Sequence, residues 1–347
     1  MSNSKPTATV SDELQTAERT TRIVTDKLQD KPELLAPAGS IESFYAAMQY
    51  GADAVYLGLK KFSARDNAVN FDTDQLNQAV GYAHERGRKV YVTVNTIVQE
   101  SEWPQLLEEL AYCEEIAVDG IILQDMGVLR AVREQFPRLK WHASTQMLTH
   151  NPEGAKWAER NGFERAILAR ELTIDEIRAI SDSSKIELET FIHGSLCFSY
   201  SGLCLFASQE EGRSGNRGKC TYICRDTFKT EQGDGKAFSM RDLMAPSEIM
   251  AMRNAGVKSL KIEGRSKGPL YTAAVVDMYR KVIDGTEVDV EEVAQRLKNI
   301  YSRETTTLFL HQSHGHVKVQ ADIDESEPQG VLLGKISRRS NERVEFK

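Results

Sequence analysis

From Glu33 onward the sequence alternates short apolar runs with longer amphipathic stretches of helical period, and this alternation narrows the possible folds more than any other feature. It is the mark of successive βα units feeding one parallel sheet. Eight runs read as strands: Glu33–Gly39, Ala54–Gly58, Lys89–Asn95, Gly120–Asp125, Trp141–Thr145, Arg165–Arg170, Glu187–Gly194 and Ser259–Arg265. Between them Ser40–Tyr50, Thr73–Arg86, Trp103–Ala117, Pro152–Asn161, Thr173–Ser181 and Pro246–Ala255 read as helices, most closed by a glycine such as Gly51, Gly87, Gly162 or Gly256. Recurrent helix–glycine–strand junctions predict an α/β fold of the closed (β/α)8, TIM-like barrel kind. An open doubly wound sheet would carry a glycine-rich nucleotide loop at its switch point, and the sequence has none.

The alternation breaks once. After the seventh strand, residues 195–244 form a glycine-rich insertion, and long irregular segments inside a regular barrel are usually functional. A last helix, Pro269–Ile283, precedes an acidic, strand-poor stretch, and Gly330–Lys347 reads as short strands. Three parts result: a disordered tail at 1–31, a barrel at 32–285, and an extension at 286–347 read as part of a small or truncated β-domain. The tail is polar and lacks an apolar run, so it reads neither as a signal peptide nor as a membrane anchor; the expectation is a cytoplasmic protein without membrane contact.

Four of the five cysteines crowd into the insertion, as Cys197-x6-Cys204-x15-Cys220-x3-Cys224, while Cys113 stands apart. A chain of 347 residues buries an ample core without disulfides, so the odd, clustered count points to metal or redox chemistry. Glycines 202, 212, 215 and 218 let the backbone approach a metal centre and donate N–H groups to sulfur. Four thiolates suit an iron–sulfur cluster or zinc; structural zinc sites favour paired C-x2-C knuckles, which these gaps fit poorly. Four unrelated buried thiols are the third reading.

The run E-x-F-x-H-G-S-L-C-x-x-Y-S-G-x-C, Glu189–Cys204, followed by G-R-S-x-N-R-G-x-C-x-x-x-C-R, Gly212–Arg225, resembles the signature of the U32 peptidase family. ELLAPAG, GADAVYLG, HASTQ, LARELT and SLKIEGR extend the likeness over about residues 33–285. Despite the family name, members include RNA hydroxylases that make 5-hydroxycytidine in large-subunit ribosomal RNA or 5-hydroxyuridine in tRNA. A further branch acts in oxygen-independent ubiquinone hydroxylation. The resemblance implies a 4Fe-4S cluster on the four cysteines, prephenate as co-substrate, an rRNA or tRNA partner and a redox partner. The GRSGNRGKC wording is closer to the ribosomal RNA branch. Two departures stand out: Tyr222 and Ile223 fill a gap where relatives often carry a polar residue and Pro or Ala, and the chain lacks a C-terminal region of the ribosomal RNA enzymes.

Barrel chemistry collects at the C-terminal strand ends, which nominates Asn95, Gln124, Asp125, Gln146, Arg170, Glu171, His193, Glu263 and Arg265. Of these, His193, Arg170 and Glu263 are the catalytic candidates, and Arg265, Gln146 and Asn95, with Arg213 and Arg217 of the insertion, the substrate-binding ones. Arg170 and Arg265 are the best-placed pair to clamp a small dicarboxylate such as prephenate, one carboxylate to each guanidinium fork. Arg170–Glu171 and Glu263–Arg265 read equally as ion pairs at the rim, and His193 as a hydrogen-bonded core histidine. With 44 basic against 51 acidic residues, a net charge of −7, any RNA contact must be local. Arg213, Arg217, Lys219 and Arg225, interleaved with Tyr200, Phe206 and Tyr222, suit an unpaired base, or equally stabilise an anionic cluster without RNA.

The alternatives are a peptidase and a structural zinc module. A peptidase needs an activated nucleophile or metal-bound water, and the sequence has no H-E-x-x-H or G-x-S-x-G; a Cys197–His193 pair is its one opening. Phosphate-loop and dinucleotide fingerprints are missing too.

Overall fold

The computed structural model describes residues 22–23, 30–201, 203–231, 233–300, 303–307, 309–311, 336–339 and 344–346. Eight strands form within the eight runs or one or two residues beyond them: β1 Glu33–Pro37, β2 Ala54–Gly58, β3 Lys89–Val94, β4 Gly120–Leu123, β5 Trp141–Ala143, β6 Arg165–Ile167, β7 Glu187–Ser195 and β8 Val257–Ile262. Each pairs in parallel with its neighbour, and β8 pairs with both β1 and β7, so the sheet closes into the expected barrel. A strand with helices outside and barrel core inside is buried on both faces, which is why β2 reads as a continuous apolar run and is buried at all five positions.

The helices are α1 Ile41–Gln49, α2 Thr73–His84, α3 Trp103–Glu115, α4 Met126–Gln135, α5 Pro152–Arg160, α6 Ile174–Ser183, α7 Phe206–Glu211, α8 Ile249–Asn254, α9 Pro269–Ile283 and α10 Val290–Ile300. Side-chain caps set several starts: Asp72 with Gln75 on α2 and Thr173 with Glu176 on α6 are reciprocal capping boxes. Gly256, at φ +93, turns α8 into β8 where a Cβ would lie 1.9 Å from Ser181 Oγ; no other residue fits. None of the described helices is long and apolar enough to cross a membrane.

The interior of the barrel is not purely apolar. Near the strand N-termini Arg165 meets Glu33 at 2.6 Å, Glu187 at 2.9 Å and Glu189 at 3.2 Å. The ammonium of Lys261 meets the other oxygen of fully buried Glu189 at 2.8 Å and lies 4.2 Å from the ring centre of Tyr56. Buried charges of this kind persist only when mutually paired.

The ends of the chain differ in part from expectation. Most of 1–31 lies outside the described residues, but Arg22–Ile23 pairs antiparallel with Val288–Asp289, so this stretch is not uniformly free chain. In the 286–347 extension, α10 is a helix that the sequence reading passed over. Thr305–Thr306 adds in parallel to a short strand, Asp242–Met244, that itself lies antiparallel to the end of β7, and Ile336–Arg339 pairs with Val344–Phe346. The remaining residues from 312 onward lie outside the described set.

Candidate functional site

The strand C-termini open into a cavity of about 970 Å³, roofed by the cysteine-rich insertion. Asn95 after β3, Gln146 after β5, Arg170 and Glu171 after β6, and Glu263 and Arg265 after β8 all line it, as the strand-end rule requires. Ser144 caps a single 3-10 turn, Thr145–Met147, that swings Gln146 inward, where its amide donates to the Asn95 carbonyl at 3.0 Å. The Asn95 side chain accepts from Ala64 N at 2.9 Å, so both amides already brace the wall. Gln124 and Asp125 do not line the cavity: Gln124 donates to the Asn216 carbonyl, and Asp125 caps α4.

The cavity wall is cationic. Arg265 is 4% exposed and donates to Thr93 at 2.6 Å and Asn70 at 3.1 Å, yet its buried Nε has no hydrogen-bond partner among the described residues. Arg170 donates to the Ser195 carbonyl at 3.0 Å, covers the Phe191 ring, and likewise leaves its buried Nε unmatched. Both arginines line the cavity, and two cations along one lining suit an anionic ligand. Burial lowers Arg265 to about 10, which leaves it charged at neutral pH.

Neither rim ion pair read from the sequence forms among the described residues. Glu171 instead accepts from Ser201 N and Oγ, holding the start of the insertion, and Glu263 pairs with Arg65 at 3.1 Å. Burial alone would raise the Glu263 carboxyl, but Arg65, Arg170 and Arg265 outweigh it and hold the group below its usual range. Glu263 is therefore an ionised counter-charge with no proton to donate at neutral pH. Sequence reasoning missed Arg65: the loop after β2 carries it, and only its position after a strand hints at a role.

His193 requires a correction. It is buried, does not line the cavity, and sits between the rings of Tyr271 and Tyr279 with Nδ1 3.3 Å from the Tyr279 hydroxyl. The cause is a bulge: Phe191 faces Lys261, yet His193 faces Ile262, so one extra residue of β7 breaks the side-chain alternation and turns His193 outward, toward α9. Burial, then the charge of Lys267, lowers it to about 3, and burial lowers His142 as well. Unfolded histidine titrates near 6.5, so below that pH the unfolded chain binds protons that the fold refuses. Their contribution to stability is complete above ~6.5 and falls on acidification, by ~2 kcal/mol at pH 5 for His193 alone, with His142 acting in the same direction. Urea midpoints at pH 7.5 and 5.0 check this, and a flat profile would contradict it.

All four clustered cysteines line the cavity, and none is in a disulfide. Cys220 Sγ accepts from Tyr222 N at 3.4 Å, across a Tyr222 held at φ +62. Burial raises the thiols of Cys220 and Cys224, and the neighbouring thiols add to the effect. Among the described residues no three His, Cys, Asp or Glu side chains are already drawn into a metal-binding group. The donor set nevertheless fits a thiolate-held centre: four cysteines line one cavity, one already accepts a backbone N–H, and Arg225 lies beside Cys224. Metal entry would require the sulfurs to draw inward.

The insertion is strapped to the barrel. Asp66 N donates to the Gly218 carbonyl at 3.2 Å, and Gly218, at φ +80, sits where a Cβ would lie 2.3 Å from the Ser63 carbonyl oxygen. Arg217 forks onto Glu102 at 2.7 and 3.1 Å and donates to the Ile97 carbonyl. It anchors the insertion to the barrel and stays partly exposed. Arg213 is exposed and lies outside the cavity lining. Phe198, Tyr200 and Tyr222 are 46%, 47% and 42% exposed at the mouth and line the cavity from above.

Fold and site together define a closed parallel barrel with a four-thiol loop over an arginine-lined cavity at its catalytic face. The chain matches the model of Peptidase family U32 over residues 39–320 and belongs to that family. It is 35% identical to the tRNA hydroxylation protein P1 of Bacillus subtilis, covering 88% of this chain and 76% of that protein. It is 39% identical to the 23S rRNA 5-hydroxycytidine C2501 synthase of Escherichia coli over 73% of this chain, but spans only 39% of that relative's length. The tRNA hydroxylation protein P of Haemophilus influenzae is 33% identical, with 84% and 76% covered.

Proposed function

We propose that this U32-family enzyme hydroxylates a pyrimidine of rRNA or tRNA. In this reading a 4Fe-4S cluster sits on Cys197, Cys204, Cys220 and Cys224, and a small dicarboxylate, prephenate by family resemblance, occupies the arginine-lined cavity. The observation that carries the reading is the sharing of one cavity by four cysteines and two arginines, Arg170 and Arg265. The names of the relatives, two tRNA hydroxylation proteins and an rRNA hydroxycytidine synthase, support RNA as the substrate.

Arg265 and Arg170 would hold the carboxylates, the fixed acceptor oxygens of Asn70, Thr93 and Ser195 keeping each guanidinium in place. Glu263 keeps Arg65 oriented toward the same space. Tyr200 and Tyr222, partly exposed at the mouth, offer faces for a base taken out of its stack. The insertion closes the cavity from above, limiting water around the ligand. The cluster, when bound, supplies one-electron chemistry, drawn from a redox partner.

The peptidase reading loses its one opening, because His193 does not share the cavity with Cys197 and is engaged by Tyr279. Nucleoside mass analysis of rRNA and tRNA from a deletion strain tests the proposal. It predicts loss of 5-hydroxycytidine or 5-hydroxyuridine, restored by the intact gene and not by a Cys220→Ser copy. Unchanged levels of both nucleosides in the deletion strain would overturn it.

A further inference from the structure

Arg225 directly follows Cys224, the last of the clustered cysteines, and its guanidinium is turned back into the protein. Nη2 donates to the Leu196 carbonyl at 2.7 Å, while Nη1 donates to the Met240 carbonyl at 2.5 Å and the Ser239 hydroxyl at 2.8 Å. Leu196, Ser239 and Met240 are all buried, so these acceptors have little water to turn to once the guanidinium is removed. Leu196 immediately precedes Cys197. One side chain thus spans the two ends of the cysteine set: it leaves the chain just after Cys224 and grips the residue just before Cys197.

The turn that carries Cys224 is fastened at the same residue. Ile223–Arg225 forms a single 3-10 turn in which Arg225 N donates to the Tyr222 carbonyl at 2.7 Å. Tyr222 sits in the left-handed region at φ +62 and aims its own N–H at Cys220 Sγ, 3.4 Å away. A bulky residue is rarely found there, and such strain persists only where the surroundings impose it. We infer that Arg225 is a positioning residue for the metal-binding set, its fork fixing the Cys224 turn against the Cys197 segment so that metal binding need not bring these two stretches together. This rests on the reading of the four cysteines as ligands of one centre. Groups behind metal ligands orient them, and losing one typically weakens metal binding by about 10- to 100-fold. The planar fork matters because different nitrogens meet the Leu196 and Met240 carbonyls; a lysine ammonium is a point charge on a flexible stem and cannot reproduce that geometry.

The test titrates the full chain, reduced and metal-free, with cobalt(II), reading thiolate coordination from visible absorption and each variant's fold from circular dichroism melting. Wild type should bind, Arg225→Gln should bind about 10- to 100-fold more weakly, and Arg225→Lys should recover only part of the loss. Glu189→Gln, which loosens the barrel interior instead, should melt earlier than wild type yet bind cobalt equally well; a merely structural role for Arg225 would weaken both alike. Unchanged affinity in Arg225→Gln, full recovery in Arg225→Lys, or equal weakening in Glu189→Gln overturns the inference, and Arg225→Lys decides alone should Arg225→Gln fail to fold. If wild type itself shows no cobalt–thiolate absorption, the four-ligand reading falls and this inference with it.

Discussion

Replacing Arg265 by Gln is expected to weaken binding of a small dicarboxylate such as succinate by at least ~30-fold in isothermal titration. Removing one partner of a desolvated charge pair typically costs ~2–5 kcal/mol, and each 1.4 kcal/mol is about tenfold. Arg265 is nearly fully buried and lines the cavity, so a carboxylate there meets a poorly solvated guanidinium. Arg265→Lys should restore only part of the affinity, since an ammonium cannot fork onto a carboxylate. Arg213→Gln is the control: exposed and outside the cavity lining, it should leave affinity unchanged. Equal affinities for wild type and Arg265→Gln would contradict the anion site.

The second large effect concerns stability. Glu189 is completely buried and bridges Arg165 and Lys261, so Glu189→Gln strips a counter-charge from two buried cations. Breaking a buried pair in this way costs ~3–5 kcal/mol. Arg165 keeps Glu33 and Glu187, which concentrates the loss on Lys261, whose ammonium burial already disfavours. Urea unfolding should show the full loss for Glu189→Gln, and Glu189→Leu combined with Lys261→Met should recover much of it. A wild-type midpoint for Glu189→Gln would contradict this account of the barrel interior.

These expectations mark where the sequence was and was not informative. The eight strands were legible because burial on both faces writes an uninterrupted apolar run, and the helix–glycine junctions because a left-handed turn such as that at Gly256 excludes a side chain. Arg170, Arg265, Glu263, Gln146 and Asn95 were legible because strand ends face the cavity in any such barrel. His193 was not, since the bulge in β7 is a property of its pairing with β8 and leaves no trace in local periodicity. Nor was the anchoring of Arg217 by Glu102, an ion pair across 115 positions of sequence that only the closed barrel brings together. Arg65 sits on a turn whose tight packing against Asn95 decides where it points.

The central claim is that Cys197, Cys204, Cys220 and Cys224 converge on iron. Anaerobic purification followed by absorption spectroscopy and chemical analysis measures it directly. The account predicts brown protein holding iron and inorganic sulfide in equal amounts, with both lost in Cys220→Ser and Cys224→Ser but retained in Cys113→Ser. Oxygen-free protein devoid of inorganic sulfide, or a cluster that survives both serine variants, would contradict it.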